Sequence, residues 1–463
     1  MNRRVNQFAL LTLTFLHILF PVTVFSQYFG RNKPGYKKFN FDVLQTPNFE
    51  IYHYLNNDTL KDNIANWAEE WYLMHQKVFK DTFEQRNPLI LYSNHSDFQQ
   101  TNAVSSMIGT TTGGVTEALK NRVVMPIAPT LAQTDHVLGH ELVHAFQFHK
   151  LLRSDSDTSQ NYSLRNIPLW MIEGMAEYLS IGSVDPHTAM WMRDALIHDD
   201  FPTLEDLSKS SRYFPYRYGH AFWAMFGKSW SDTLVIPLFE KTAILGFDSA
   251  VDTLLGFSSE TLSGLWRSAM ELHFNPYLAD TVNRPVGQKL ISKENAGEMN
   301  LSPSLSPDGK YLAFFSEKDV FTLDLYLADA QSGKIIKKLS SVTRNHEIDD
   351  FSFIESSGTW SPDSRKFAFV VFSKGKNKLA IVDVKRAKIT YEIELGNLNS
   401  FSNPHWSPEG RYIVVTGLVN GTGDLYLYDM DEGTTTKLTS DLYSNIHPAW
   451  SPNGKYIVFS TER

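Results

Sequence analysis

The chain contains no cysteine. That absence excludes disulfides, thiolate metal sites and a lipid-modified N-terminal cysteine. Long apolar runs are also missing: no stretch reaches eighteen consecutive apolar residues, so no membrane-spanning helix is expected. Positive charge is short as well. With 43 Lys and Arg against 51 Asp and Glu, the formal charge is −8, which leaves no electrostatic case for binding nucleic acid. What is present is globular: 42% apolar, 20% charged and 13% aromatic residues supply material for large cores. At 463 residues the chain is long enough for two or three domains.

The first 26 residues read as a secretory signal. Arg3 and Arg4 give a basic start, Phe8 to Phe20 is mostly apolar, and Val24-Phe25-Ser26 offers a cleavage site before Gln27. Cleavage takes away two arginines and no acid, leaving a more acidic exported chain with no membrane span, expected in the periplasm or outside the cell.

Residues 27–280 mix short strand patterns with long helical ones. Phe49 to Tyr54 alternates like a half-buried strand, and Asp58 to Lys80 carries Leu60, Ile64, Trp67, Trp71, Met74 and Val78 at helical spacing. Leu89 to Tyr92 and Arg122 to Ile127 are further strand patterns. Leu151 to Asn166 is a polar surface loop. Residues 281–299, polar and interrupted by Pro285 and two glycines, form a linker.

Residues 300–463 change character. Ser306-Pro307-Asp308-Gly309-Lys310 returns as Ser361-Pro362-Asp363-Ser364-Arg365, Ser407-Pro408-Glu409-Gly410-Arg411 and Ser451-Pro452-Asn453-Gly454-Lys455. An apolar strand follows each one, as in Tyr412-Ile413-Val414-Val415. A turn signal recurring every 40 to 50 residues between alternating strands is the mark of propeller blades. These repeats resemble those of the TolB family of propellers. Three blades are expected complete, with the first two strands of a fourth before Arg463. The expected fold is thus an α+β domain followed by an all-β, incomplete propeller.

The chemistry is concentrated in His140-Glu141-Leu142-Val143-His144, an H-E-x-x-H motif on a helix whose start is expected near Thr134. Two histidines four apart stand on one helical face, so both imidazoles can reach one metal ion. Glu141 sits beside them as a general base. A third ligand is expected in Trp170-Met171-Ile172-Glu173-Gly174-Met175-Ala176-Glu177-Tyr178. Glu173 and Glu177 share a helical face, so Glu173 can bind metal while Glu177 holds a ligating histidine. His136 lies one turn before His140 and is expected to stay outside the ligand set.

Together, H-E-x-x-H and W-x-x-E-G-x-A-E-Y resemble the gluzincin metallopeptidases, which include thermolysin-like and aminopeptidase-like enzymes. The 28 residues between His144 and Glu173 exceed the clan's usual spacing, and the polar loop can absorb the excess. The resemblance implies zinc at His140, His144 and Glu173. It also implies an oxyanion donor at Tyr216, in Pro215-Tyr216-Arg217-Tyr218-Gly219, with Tyr218 and His220 as alternatives. Gly113-Gly114-Val115-Thr116-Glu117 falls where such enzymes carry the edge strand that pairs with substrate. The aminopeptidase G-x-M-E-N signature is absent, so no anchor for a substrate amino terminus is assigned to Glu117.

The expectation is an exported zinc metallopeptidase acting on a peptide or protein substrate, with a protein partner or substrate bound at the propeller. Two alternatives stand beside it. One is a catalytically idle peptidase fold that serves as a scaffold through its propeller, and the other is a metal-dependent hydrolase of another substrate.

Overall fold

The computed structural model describes residues 35–463 except 153–161, 279–286, 320–321, 344, 346–347 and 354–355. The signal segment and most of the polar loop after Leu152 fall outside the described residues.

The N-terminal half opens with strands β1 (Asp42–Gln45) and β2 (Phe49–His53), then helix α1 (Asp58–Phe79), β3 (Asn87–Tyr92) and the single turn α2 (His95–Phe98). Strands β4 (Val115–Glu117) and β5 (Arg122–Pro126) follow, and then helices take over. These are α3 (Leu131–Leu152), α4 (Leu169–Ile181), α5 (Pro186–Ile197), α6 (Leu204–Lys209), α7 (Pro215–Trp230), α8 (Val235–Leu245), α9 (Phe247–Leu255) and α10 (Ser259–Leu278).

The five strands form one sheet in the order β1-β2-β3-β5-β4, with β2, β3 and β5 parallel and the two outer strands antiparallel. Alternation along the strands turns Phe49, Ile51, Leu89, Leu91, Val123 and Met125 into a single core with Leu60, Ile64, Leu138 and Leu142 of α1 and α3. β4 is an edge strand, registered Val115 to Val124 and Thr116 to Val123.

Helix α1 starts where the Asn57 side chain accepts from the Leu60 N–H at 3.1 Å. It crosses α3 at Gly139, the residue before His140. A Cβ there would lie 2.7 Å from Trp71 Cε2, so only glycine lets the indole seat. Trp71 Nε1 donates to Asp135 at 2.8 Å, and His75 Nε2 donates to the Gly139 carbonyl at 3.1 Å. Both bonds fix the roll of α3.

Helix α3 begins at Leu131, one turn before the start expected at Thr134. Thr130 is the cap: its Oγ1 accepts from Gln133 N–H at 3.2 Å. The N–H groups of Leu131 and Ala132 donate to the carboxylate of Glu462, each at 3.1 Å. Thr134 lies inside the helix, and its hydroxyl donates back to the Thr130 carbonyl at 3.0 Å.

The C-terminal half is an all-β, propeller-like series of blades. Blade 1 is β6 (Asn300–Leu305), β7 (Tyr311–Ser316), β8 (Asp324–Asp329) and β9 (Ile335–Ser340). Blade 2 is β10 (Asp350–Phe351) and β11 (Thr359–Trp360), both on β12 (Lys366–Ser373), then β13 (Lys376–Asp383) and β14 (Lys388–Ile393). Blade 3 is β15 (Phe401–Trp406), β16 (Tyr412–Val419), β17 (Thr422–Asp429) and β18 (Thr434–Lys437). The pair β19 (Asn445–Trp450) and β20 (Ile457–Thr461) follows.

The repeated turns have one mechanism. The hydroxyls of Ser306, Ser407 and Ser451 each accept from the N–H five residues on, at 2.9 Å, closing the turn before the second strand of the blade. Ser361 does the same to Lys366 at 2.9 Å.

Hairpin tips of the blades meet the N-terminal half. Ser96 of α2 donates to Asn377 at 3.0 Å, Asn57 donates to Thr422 at 3.3 Å, and Gly421 abuts Leu60 and Ile127. With Glu462 on α3, these contacts bring the propeller up to the first turn of the helix that carries H-E-x-x-H.

Candidate metal centre

Helix α3 presents His140 and His144 on one face, and α4 lies across it. Their Nε2 atoms are 3.1 Å apart, and Glu173 Oε2 is 3.3 Å from the first and 3.2 Å from the second. Tetrahedral zinc with bonds of ~2.1 Å needs ligand atoms roughly 3.4 Å apart, and this triangle falls only slightly inside that spacing. Two nitrogens and one carboxylate oxygen, leaving further positions open, are a donor set suited to zinc.

The second partner of each imidazole fixes its tautomer. His140 Nδ1 lies 3.0 Å from Glu177 Oε1 as an ion-pair contact, and His144 Nδ1 donates to Gln147 Oε1 at 2.8 Å. Both Nε2 atoms therefore face the Glu173 oxygen, the side from which a metal ion would displace any proton and take their lone pairs. Gln147 is itself held by donating to the Ile172 carbonyl at 3.1 Å. Glu177 also takes Arg217 Nη1 at 3.1 Å, and Arg217 reaches Asp185 at 3.1 Å.

His136 stands 3.5 Å from Glu177, so His136, His140 and Glu177 make a second cluster of donors. The two clusters share His140 and use opposite ring nitrogens. A proton on Nδ1 serves the Glu177 side and frees Nε2 for Glu173 and His144, which favours the His140, His144, Glu173 set.

The electrostatics fit a cation. Burial opposes charge on His140, yet hydrogen bonds to Glu173 and Glu177 and the field of Glu141 push its pKa up to about 10. Burial would likewise raise Glu173 and Glu177. Instead His140 with His144, and His136 with His140, hold the two carboxyls well below the usual range. Three carboxylates around two imidazoles leave negative charge for a metal ion to meet.

Glu141 is buried beside the triangle. Thr116 of the edge strand β4 donates its hydroxyl to Glu141 Oε2 at 2.6 Å. Gly114 gives the carboxylate room, since a Cβ there would lie 2.7 Å from Glu141 Oε1. Strand β4 thus packs its backbone directly against the candidate base.

Tyr216 stacks on His140, with ring centroids 5.7 Å apart and planes at 13°. Burial, then the negative charge of Glu173, raises its hydroxyl far above the ordinary phenol range, so it remains a donor. The two alternatives face elsewhere. Tyr218 is buried against Tyr213, Trp191 and Phe201, and His220 Nε2 donates to the Gly182 carbonyl at 2.7 Å.

Helices α4 and α7 hold Glu173, Glu177, Tyr216 and Arg217 together by backbone contact. A Cβ on Gly174 would lie 2.2 Å from the carbonyl carbon of Gly219, and one on Gly219 would lie 2.1 Å from the Trp170 oxygen. Glu117, at the far end of β4, is bound by Arg122 at 2.5 Å. The sequence motifs carried no role for Gln147, Arg217 or Thr116. Gln147 had a signal, since it lies three residues from His144 on the same helix. Arg217 and Thr116 had none, because their partners are distant in sequence.

Comparison with known proteins falls on the other half of the molecule. Residues 344–463 match the TolB beta propeller domain family. The C-terminal blades are TolB-like. A Tol-Pal system protein TolB from Ruthia magnifica is 33% identical over 89 residues, which are 18% of this chain and 20% of that protein. An uncharacterized protein of Agrobacterium fabrum is 31% identical over 146 residues, covering 31% of this chain and 44% of its own length. The chain thus spans from a fifth to under a half of these curated relatives. The crystal structure of TolB from Acinetobacter baumannii overlaps 42% of this chain and 53% of its own, at 18% identity and a TM-score of 0.31.

Proposed function

We propose that this chain is an exported zinc-dependent peptidase whose N-terminal half carries the site and whose propeller binds substrate or a partner protein. The observation that supports it is the convergence of His140, His144 and Glu173 within 3.3 Å of one another, with Glu141 buried alongside. Held there, zinc would polarise the scissile carbonyl and lower the pKa of a water molecule to about 7. Glu141 accepts that water's proton and returns it to the leaving amine, with Thr116 holding the carboxylate in place. Tyr216 donates to the developing oxyanion. Glu177, braced by Arg217, keeps His140 in the ligating tautomer. The free edge of β4 offers backbone partners to an extended peptide.

Metal analysis together with a peptide-library digest tests this reading. Zinc near one per chain, with cleavage that falls by at least about 10²-fold in Glu141→Gln, is the expected result. Undiminished cleavage in the zinc-loaded variant sinks it.

A second reading is favoured by where the family match falls. If the N-terminal half is idle, the TolB-like propeller is the working part and the chain is a scaffold that binds a protein partner in the periplasm or outside the cell. Zinc content near zero after mild purification, with no cleavage, would select it.

A further inference from the structure

Between the two halves lies a cavity of about 290 Å³ that neither half could form alone. Its N-terminal wall includes Thr112 and Gly113, leading into β4, and Val137 and His136 of α3. Its propeller wall includes Ser352, Phe353 and Phe372 of blade 2 and Ser400, Phe401 and Leu418 of blade 3. The cavity wall adjoins the candidate metal centre through two of its residues. Gly113 adjoins Gly114, whose α-carbon abuts Glu141, and His136 stands one helical turn from His140.

The chemistry of the walls is selective. Among the described residues that line the cavity there is no Asp, Glu, Lys or Arg. Aromatic and aliphatic side chains meet threonine and serine hydroxyls and the amide of Asn377. His95, also on the wall, has its pKa pushed down to about 4 by burial, so it adds no charge near neutral pH. The volume lies near the lower end of small-ligand pockets, ~300 Å³, which suits one or two side chains rather than a folded partner. A charged side chain here would lose its hydration with no Asp, Glu, Lys or Arg on the described wall to meet it.

From this geometry we infer that the interdomain cavity is a specificity pocket, which takes an uncharged, apolar or aromatic side chain of the peptide lying along β4. The propeller then selects substrate by supplying half of the pocket. This rests on the proposed peptidase reading for the peptide's path, but its test does not need turnover.

The test measures binding of fluorescein-labelled alanine-rich octapeptides to full-length Glu141→Gln by fluorescence anisotropy. Each peptide carries a single phenylalanine, moved along the sequence, and is paired with a version bearing aspartate at that position. At one position the phenylalanine peptide should bind at least about 10-fold more tightly, as burial of one aromatic side chain gives. Ser400→Trp and Ser352→Trp plug the propeller wall. Ser400 is half-buried and its carbonyl accepts from Leu418 N–H at 2.9 Å, while Ser352 N–H donates to Val370 at 3.1 Å. Tryptophan leaves these backbone bonds in place. Each plug should reduce the preference to under about 2-fold with Tm and zinc content unchanged. Equal binding of every pair, or a preference that survives both plugs, overturns the inference. A preference that vanishes in the plugs, in a protein that holds no zinc and cleaves nothing, upholds the pocket and removes the peptidase reading alone.

Discussion

The two halves bury charge in opposite ways. In the propeller, buried charge repeats. Asp324 in blade 1 pairs with Lys338 of the next strand, and Asp424 in blade 3 pairs with Lys437 at 2.7 Å. The turn serines repeat with them. A feature that returns from blade to blade is explained by the blade, and it stabilises the repeat. In the N-terminal half, His140, Glu141, His144 and Glu177 are buried in a cluster that has no second copy among the described residues. Desolvating so many ionisable groups is unfavourable unless a ligand or a reaction requires them. Repetition here marks architecture, and the single occurrence marks chemistry.

The comparison breaks most visibly at the ligands. Glu173→Ala should lose zinc and all cleavage, and Glu141→Gln should keep zinc while cleavage falls by about 10²- to 10⁴-fold, the usual worth of a general base. Metal content and a peptide digest, measured on both variants, check the pair. If the two glutamates exchanged behaviours, their assigned roles would be reversed.

Tyr216→Phe should leave metal content and Tm alone and lower kcat and kcat/KM together by about 10²- to 10³-fold. A matching drop in Tyr218→Phe instead would move the oxyanion role to a residue that the structure turns away. Glu177→Ala should weaken zinc affinity by roughly 10- to 100-fold, as loss of a histidine's second partner does. Competition with a chelator of known affinity measures it.

On the propeller side the effect should be stability without chemistry. Asp424→Ala is expected to cost about 1–3 kcal/mol by removing a buried carboxylate that takes a hydrogen bond from Thr439 and pairs with Lys437, with cleavage per folded molecule unchanged. A fall in kcat would end the division drawn between the halves. Glu462→Ala removes a helix cap and should cost about 0.5–2 kcal/mol, read as a lower Tm of the N-terminal half.

Much of this molecule was legible because its signals are local. The period of α1, the alternation of β2 and the spacing of His140 and His144 each depend on neighbours in the chain. The Ser-Pro turns were legible because each serine bonds its own backbone. The start of α3 was not, because its cap is completed by Glu462, more than three hundred residues away, and Thr134 offered a nearer capping side chain. The resemblance pointed to Tyr216 over Tyr218, but the physical reason for that choice was hidden. Two tyrosines two apart on α7 face different neighbours, and only the packing of α7 on α4 decides which one meets His140. The bracing by Arg217 and Thr116 depended on pairs forty and twenty-five residues apart.

The crossing of α4 and α7 has a consequence for anyone who would engineer this protein. Replacing a helical glycine by alanine is a standard route to a sturdier fold, worth up to about 1 kcal/mol in helix propensity. At Gly174 and Gly219 the rule inverts. A single methyl group would wedge the helices apart along the line that joins Glu173 to Tyr216 and Glu177 to Arg217. The added helicity would come with a dismantled site, so these two positions belong on the list that a thermostability design leaves untouched.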